Sequence, residues 1–387
     1  MEISKQDSPF FKKRLMTAGP TPVPDFVHSA MSSAVYYHRA KDFGEVVQRC
    51  RQKLPQVFGT QEEVLILSGS GTLAMEGSIC NFINRGDQVI AIDSGKFGSR
   101  WAEQARIYGA EVIELFVERG QAVDVLKLEE LLKKHPKTKA VLSHASETST
   151  GVKHDVQAIT KLCHQLEDCL SLVDGVTAVG VFSVPMDEWG IDVLIAGSQK
   201  GFMLPPGLSF ASASKRAQER MEAVQNTRYY MDWRKEYKAL KKNTGAFTSP
   251  VSLIAGLDVA LDYYLNIGLE NVYRKNNIMK KATRAGALGM GFSLLVEKEQ
   301  QASEACTAII CDGSLVNKIR ESYGLTISGG QDELKGKILR IGHMGYIDAW
   351  DVYSSLTVLG HESARKNEAI KVSQGLEAFW KVVSHDL

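Results

Sequence analysis

The chain has no surplus of charge of either sign, no long apolar run and no closely paired cysteines. Its 387 residues carry 46 Lys+Arg against 45 Asp+Glu, a formal net charge of +1. Neither half is conspicuously basic, which argues against nucleic acid or an anionic membrane as the main partner. No stretch approaches the roughly 20 apolar residues of a membrane span. Met1 to Arg14 mixes charge with Phe10 and Phe11 and lacks an apolar signal core. A soluble, cytoplasmic protein is the expectation. Six cysteines (Cys50, Cys80, Cys163, Cys169, Cys306, Cys311) are few for this length, and none makes a CxxC pair. Reduced, mostly buried thiols fit that usage. Cys163, His164 and Cys169 cluster in and after an amphipathic helix pattern without a second ligand pair, which points away from a metal site.

What is present is an alternation. Short apolar runs recur at Val64 to Leu67, Val89 to Ile92, Val112 to Val117, Ala140 to Ser143, Leu170 to Val173, Val193 to Ala196 and Leu208 to Ala213. Segments of helical period separate them, among them Trp101 to Tyr108, Leu126 to Lys134 and Val156 to Leu166. The pattern predicts an α/β domain around a mostly parallel, buried sheet. A long apolar helix pattern, Leu253 to Leu265, leads into shorter mixed elements. We therefore expect an N-terminal arm at 1–18, a large α/β domain at 19–267 and a smaller C-terminal α+β domain at 268–387. The basic run Lys235 to Lys242 reads as a solvated face or loop.

Ligands of parallel sheets bind at the carboxyl ends of the strands, so the residues just after each run carry the chemistry. Lys200 lies in GSQKG (Gly197 to Gly201), just past an apolar run, in small and uncharged surroundings. Desolvation there lowers the amine's pKa and suits it to form a Schiff base. Asp174 closes the run before it. A Schiff-base lysine and an acid for a pyridinium nitrogen are the two anchors that pyridoxal phosphate needs. Ser68-Gly69-Ser70-Gly71-Thr72 opens a helix pattern and offers N–H groups and hydroxyls to a phosphate.

The same turn has a rival reading. Gly69, Gly71 and Ala74 match GxGxxG/A, and Asp93 closes the next run where a ribose-binding acid belongs, which describes an NAD-dependent oxidoreductase. Further strand ends supply Phe97 in Gly95 to Gly98, able to stack on a flat ring, and a hydroxyl-rich turn, Glu147 to Gly151. Arg340, in the apolar strand Lys337 to Gly342, suits bidentate capture of a substrate carboxylate.

Taken together, these strings make the chain resemble the class V aminotransferases of pyridoxal-phosphate fold type I, within them the alanine–glyoxylate, serine–glyoxylate and serine–pyruvate group. The resemblance runs from GPTPVP (Gly19 to Pro24) to LRIGHMG (Leu339 to Gly345). It is carried by His38-Arg39, SGSGT (68–72), GKFGSRW (95–101), ETSTG (147–151), DGVTAVG (174–180), GSQKGF (197–202) and PPGL (205–208). It implies that Lys200 holds the cofactor as a Schiff base and Asp174 binds the ring nitrogen. Val176 and Phe97 would cover the two ring faces, and Thr148 the phenolic oxygen. Ser70, Gly71, Thr72 and Gln199 would hold the phosphate, joined by Thr248 from the partner subunit of a homodimer. Arg340 would take the substrate carboxylate, with the Gly19 turn nearby.

The implied activity moves an amino group from alanine or serine to glyoxylate or pyruvate by a ping-pong route. Two departures stand out: Phe97 where some relatives stack tryptophan, and Gly245 where some carry tyrosine three residues before the threonine. Two alternatives sit within the same fold. One is a subunit of a larger assembly. The other is a cysteine desulfurase, which requires a nucleophilic cysteine on a mobile loop, whereas Cys306 and Cys311 lie in or beside the apolar run Thr307 to Ile310.

Overall fold

The computed structural model describes residues 10–34 and 36–386, so residues 1–9 of the expected arm lie outside the described residues. Each of the seven apolar runs of the first two-thirds forms a strand. Together they make one seven-stranded sheet in the spatial order Val64–Ser68, Leu208–Ala213, Val193–Gly197, Leu170–Asp174, Ala140–His144, Gln88–Asp93, Glu111–Phe116. Leu208–Ala213 alone runs against its neighbours; the other pairs are parallel. The central strands are buried at every residue, because helices cover both faces of a parallel sheet. That is why they read as unbroken apolar runs rather than alternating ones.

A second sheet orders Arg14–Met16, Leu325–Gly329, Ile338–Gly342, Cys306–Ile310 and Ser293–Leu294. It has its own core, which includes Met16, Ile309, Leu325, Leu339 and Phe379. The end of the segment expected as an arm thus forms an edge strand of this sheet, parallel to Leu325–Ile327. The run Lys235 to Lys242 falls mostly in the helix Trp233–Leu240, which buries Trp233, Tyr237 and Leu240 and turns its lysines outward. Among the described residues no helix is long and apolar enough to cross a membrane.

Two long helices, Leu269–Gly289 and Val372–Asp386, meet at glycines. A Cβ on Gly375 would lie 2.4 Å from the Gly286 carbonyl oxygen and 2.2 Å from Met290 Cγ. Alanine favours a helix interior by about 1 kcal/mol over glycine, but overpacking of this kind costs about 1–3 kcal/mol. Gly375→Ala is therefore expected to lower the urea midpoint of unfolding by a net of about 1 kcal/mol in stability. A midpoint equal to or above the parent's contradicts this packing.

Candidate active site

The carboxyl ends of the parallel strands open on a cavity of about 190 Å³, lined by Ser70, Gly71, Thr72, Phe97, Thr148, Asp174, Val176, Gln199 and Lys200, together with Met75, Arg100 and Thr177. Nine of the residues singled out by sequence thus face one space. Ser70 precedes the helix Gly71–Phe82 in extended conformation, and its hydroxyl caps no helix N–H. A Cβ on Gly71 would lie 2.8 Å from Val176 Cγ2, so only glycine lets this turn pack beneath the valine.

Lys200 is 8 % exposed, and its Nζ donates to the Ala18 carbonyl at 2.6 Å. Burial pulls its pKa from 10.5 down to about 8; Arg340 adds to the fall, while Cys306 and Asp174 oppose it. Gly19, with φ +104°, folds across the lysine so closely that a Cβ would lie 2.2 Å from Nζ. Asp174 is equally enclosed. Its Oδ1 accepts the Val176 N–H at 2.8 Å, and its Oδ2 lies 3.8 Å from His144 Nε2. Burial raises its pKa above the ordinary carboxylate range, with His144 pulling the other way.

Phe97 and Arg100 sit one turn apart on the helix Lys96–Ile107. Buried Glu147 holds the start of that helix: its Oε2 accepts the Phe97 and Gly98 N–H groups at 3.1 and 3.2 Å, and its Oε1 accepts the Ser149 hydroxyl at 2.6 Å. Thr148 follows directly, its hydroxyl 2.9 Å from that of Thr177. The Thr148 carbonyl accepts Arg340 Nη1 at 2.7 Å, while Arg340 Nε and Nη2 both donate to the Gly329 carbonyl at 3.0 and 2.7 Å. A guanidinium has five N–H donors. Three are engaged here, which leaves one on each terminal nitrogen.

Thr248 stands apart. It is exposed, in the segment before the helix Val251–Ile267, and does not line the cavity of its own chain. Arg39 also lies elsewhere, in a surface pocket with His38 and Lys242. Sequence reasoning missed Arg100, whose guanidinium lies 4.9 Å from the Phe97 ring centre and reaches Thr72 Oγ1 at 3.3 Å. The signal was the i, i+3 spacing from Phe97, which puts both side chains on one face of a helix.

The dinucleotide reading loses its acid. Asp93 is spent inside the protein, paired with Arg119 at 2.7 Å and accepting the Ser99 hydroxyl at 2.9 Å. The desulfurase reading lacks a ready nucleophile: Cys306 is buried in a strand, Cys311 follows that strand with its thiol on the Ile309 carbonyl, and burial raises both thiol pKa values.

The family model described as "Aminotransferase class-V" matches residues 16–340. This chain belongs to the class V aminotransferases. It is 38% identical over 365 residues to the soluble hydrogenase 42 kDa subunit of Anabaena cylindrica, covering 91% of this chain and 95% of that protein. It is 32% identical over 336 residues to the L-aspartate–glyoxylate aminotransferase of Paracoccus denitrificans, covering 84% of this chain and 85% of that protein. The crystal structure of pyridoxamine–pyruvate aminotransferase from Mesorhizobium loti superimposes with a TM-score of 0.92 at 28% identity, covering 100% of both chains. The protein is thus an aminotransferase of a family that uses pyridoxal phosphate, on the fold type I scaffold.

The lowered pKa of Lys200 has a consequence for stability. Between about 8 and 10.5 the unfolded chain binds the proton that the folded chain has released, so this group makes stability rise with pH across that window. Below it the penalty of a buried charge is fully present. In cofactor-free protein at pH 7, Lys200→Met is expected to be more stable than the parent by at most about 3 kcal/mol, less about 1 kcal/mol for the lost hydrogen bond. Urea titrations should show the gap closing toward pH 10.5; a gap that does not change with pH contradicts the assignment.

Proposed function

We propose that the cavity holds pyridoxal 5'-phosphate on Lys200 and that the enzyme passes an amino group from a short amino acid, alanine or serine, to glyoxylate or pyruvate in a ping-pong cycle. The observation that carries this is the meeting of a buried amine, Lys200, with a buried acid, Asp174, in one cavity. The residues fit the group. Ser70 and Thr72 offer hydroxyls at a helix start, Gly71 lets the backbone come close, and Gln199 lines the same cavity with a side-chain amide whose N–H groups suit phosphate oxygens.

When bound, the cofactor supplies an electron sink for the pair left on the substrate α-carbon. Lys200 would hold the group through its amine and, when free, would serve as general base for the α-proton; a pKa of about 8 leaves a useful neutral fraction near neutrality. Asp174 would hold a proton at the ring nitrogen, Phe97 and Val176 would pack on the ring, and Thr148 would donate to the phenolic oxygen. Arg340 receives the substrate carboxylate with the one N–H left on each terminal nitrogen.

A homodimer completes the site, with Thr248 reaching the neighbour's phosphate. Exposed aromatic surface beside Thr248 supports such an interface: Phe247 packs 4.7 Å from Tyr230, and Tyr229 and Tyr230 are 72% and 43% exposed. The donor does not follow from similarity, since relatives alike in fold are named for L-aspartate and for pyridoxamine. A role as a subunit of a larger assembly, which the name of the Anabaena relative states of that protein, draws on that name alone.

Lys200→Ala is expected to abolish transamination and the visible absorbance of lysine-bound cofactor; a variant that retains both would sink the assignment. Arg340→Lys keeps the charge but loses the planar fork. It should raise KM for every amino-acid donor by a factor equivalent to about 1–3 kcal/mol while kcat changes less. Steady-state kinetics over small donors will check this, and a preference for aspartate or glutamate over alanine and serine of about tenfold, some 1.4 kcal/mol, would contradict the donor size.

A further inference from the structure

The ionisable side chains that line the cavity are Lys200, Asp174 and Arg100. The first two are accounted for. Arg100 is not, and its surroundings are unusual for an arginine: among the described residues it has no carboxylate partner, and its hydrogen bond goes to Thr72 Oγ1 at 3.3 Å. Its guanidinium lies 4.9 Å from the Phe97 ring centre, close enough for a cation–π contact that fixes its plane. At least Nε and Nη2 are left without a partner. A half-buried cation held in place by a ring, with unspent donors facing a cavity, is placed for an anion.

We propose that Arg100 is the residue that makes this cavity select a phosphorylated ring over an unphosphorylated one, by pairing with the 5'-phosphate at the Ser70–Thr72 turn. This rests on the reading of the cavity as a pyridoxal phosphate site. A phosphate brings up to two negative charges into a space where Lys200 is engaged at the aldehyde and Asp174 is itself acidic. Without a cation that charge meets only hydroxyls, an amide and helix N–H groups, and uncompensated burial of charge is costly.

Arg100 works in two ways. Its free N–H groups form charge-assisted hydrogen bonds to phosphate oxygens. Through Nη1 it also donates to Thr72 Oγ1, which polarises that hydroxyl and turns its proton outward as a stronger donor. Arg340 is not in this lining; it lies behind Thr148, tied to the Thr148 and Gly329 carbonyls, which leaves Arg100 as the cation at the phosphate end. The assignment also bears on donor size: with Arg100 engaged by phosphate, a second carboxylate on the donor has no cation left in the lining.

The test compares pyridoxal phosphate with pyridoxal, which share the ring and the aldehyde and differ by the phosphate alone. Dissociation constants for both are measured on cofactor-free parent, Arg100→Gln and Arg100→Lys by quenching of tryptophan fluorescence and by visible absorbance. In Arg100→Gln the pyridoxal phosphate affinity should fall by about 10- to 100-fold while pyridoxal changes by less than about threefold, so that the ratio collapses; Arg100→Lys should recover part of it. Inorganic phosphate, binding to the parent, should bind the glutamine variant correspondingly less. Equal weakening of both vitamers assigns Arg100 to packing against Phe97 and overturns the proposal, as does an unchanged ratio with a raised KM for aspartate. A parent enzyme that binds neither vitamer overturns the cofactor reading itself, a result that the variants cannot mimic.

Discussion

The carboxylate of Glu147 is the contact on which the site's geometry depends. Fully buried, it accepts backbone N–H groups at the start of the helix Lys96–Ile107 and the hydroxyl of Ser149. One acidic side chain thereby ties three walls together: the helix that carries Phe97 and Arg100, the turn that carries Thr148, and through the Thr148 carbonyl the arginine at 340. A carboxylate at a helix start also meets the positive end of the dipole, so the tie is electrostatic as well as geometric. Gly95 makes it possible, since a Cβ there would lie 2.6 Å from Glu147 Cδ.

Around that tie, charge is placed by the order of the strands. The parallel sheet brings Asp174 and Lys200 to the same edge because their strands, Leu170–Asp174 and Val193–Gly197, are neighbours. The smaller sheet brings Arg340 from the other side. Burial then does the tuning: it lowers the lysine and raises the aspartate, so each ion costs less to neutralise and is readier to exchange a proton. His144, with neither ring nitrogen hydrogen-bonded among the described residues, sits against that aspartate and edge-on to Trp101.

Much of this was legible in the chain because buried parallel strands are written as continuous apolar runs, and the residues that follow them line the cavity at the carboxyl end of the sheet. Asp174, Lys200 and the Ser70–Thr72 turn were found that way. What escaped had a physical reason in each case. Arg100 needed the register of a helix, not the end of a strand. Leu325–Gly329 is a five-residue strand whose apolar positions, Leu325 and Ile327, alternate with Thr326 and Ser328; two alternations are too few to stand out. Arg14–Met16 owes its strand to a partner three hundred residues away in sequence. Asp93 matched a nucleotide-binding spacing, and only the fold reveals Arg119 already holding it. Thr248 lies outside the cavity of its own chain, and one sequence does not place a neighbour.

The carbonyl that accepts the Lys200 amine belongs to Ala18, two residues past the edge strand that ends at Met16. Thr17 between them is pinned as well, for a Cβ on Gly342 would lie 2.2 Å from its carbonyl oxygen. The amine is thus moored to the smaller sheet by a tether too short to carry slack. A contact of 2.6 Å loses its strength within a few tenths of an ångström beyond about 3.2 Å. A slide of one sheet against the other would change this contact, so the buried lysine nitrogen gauges how the two sheets are set.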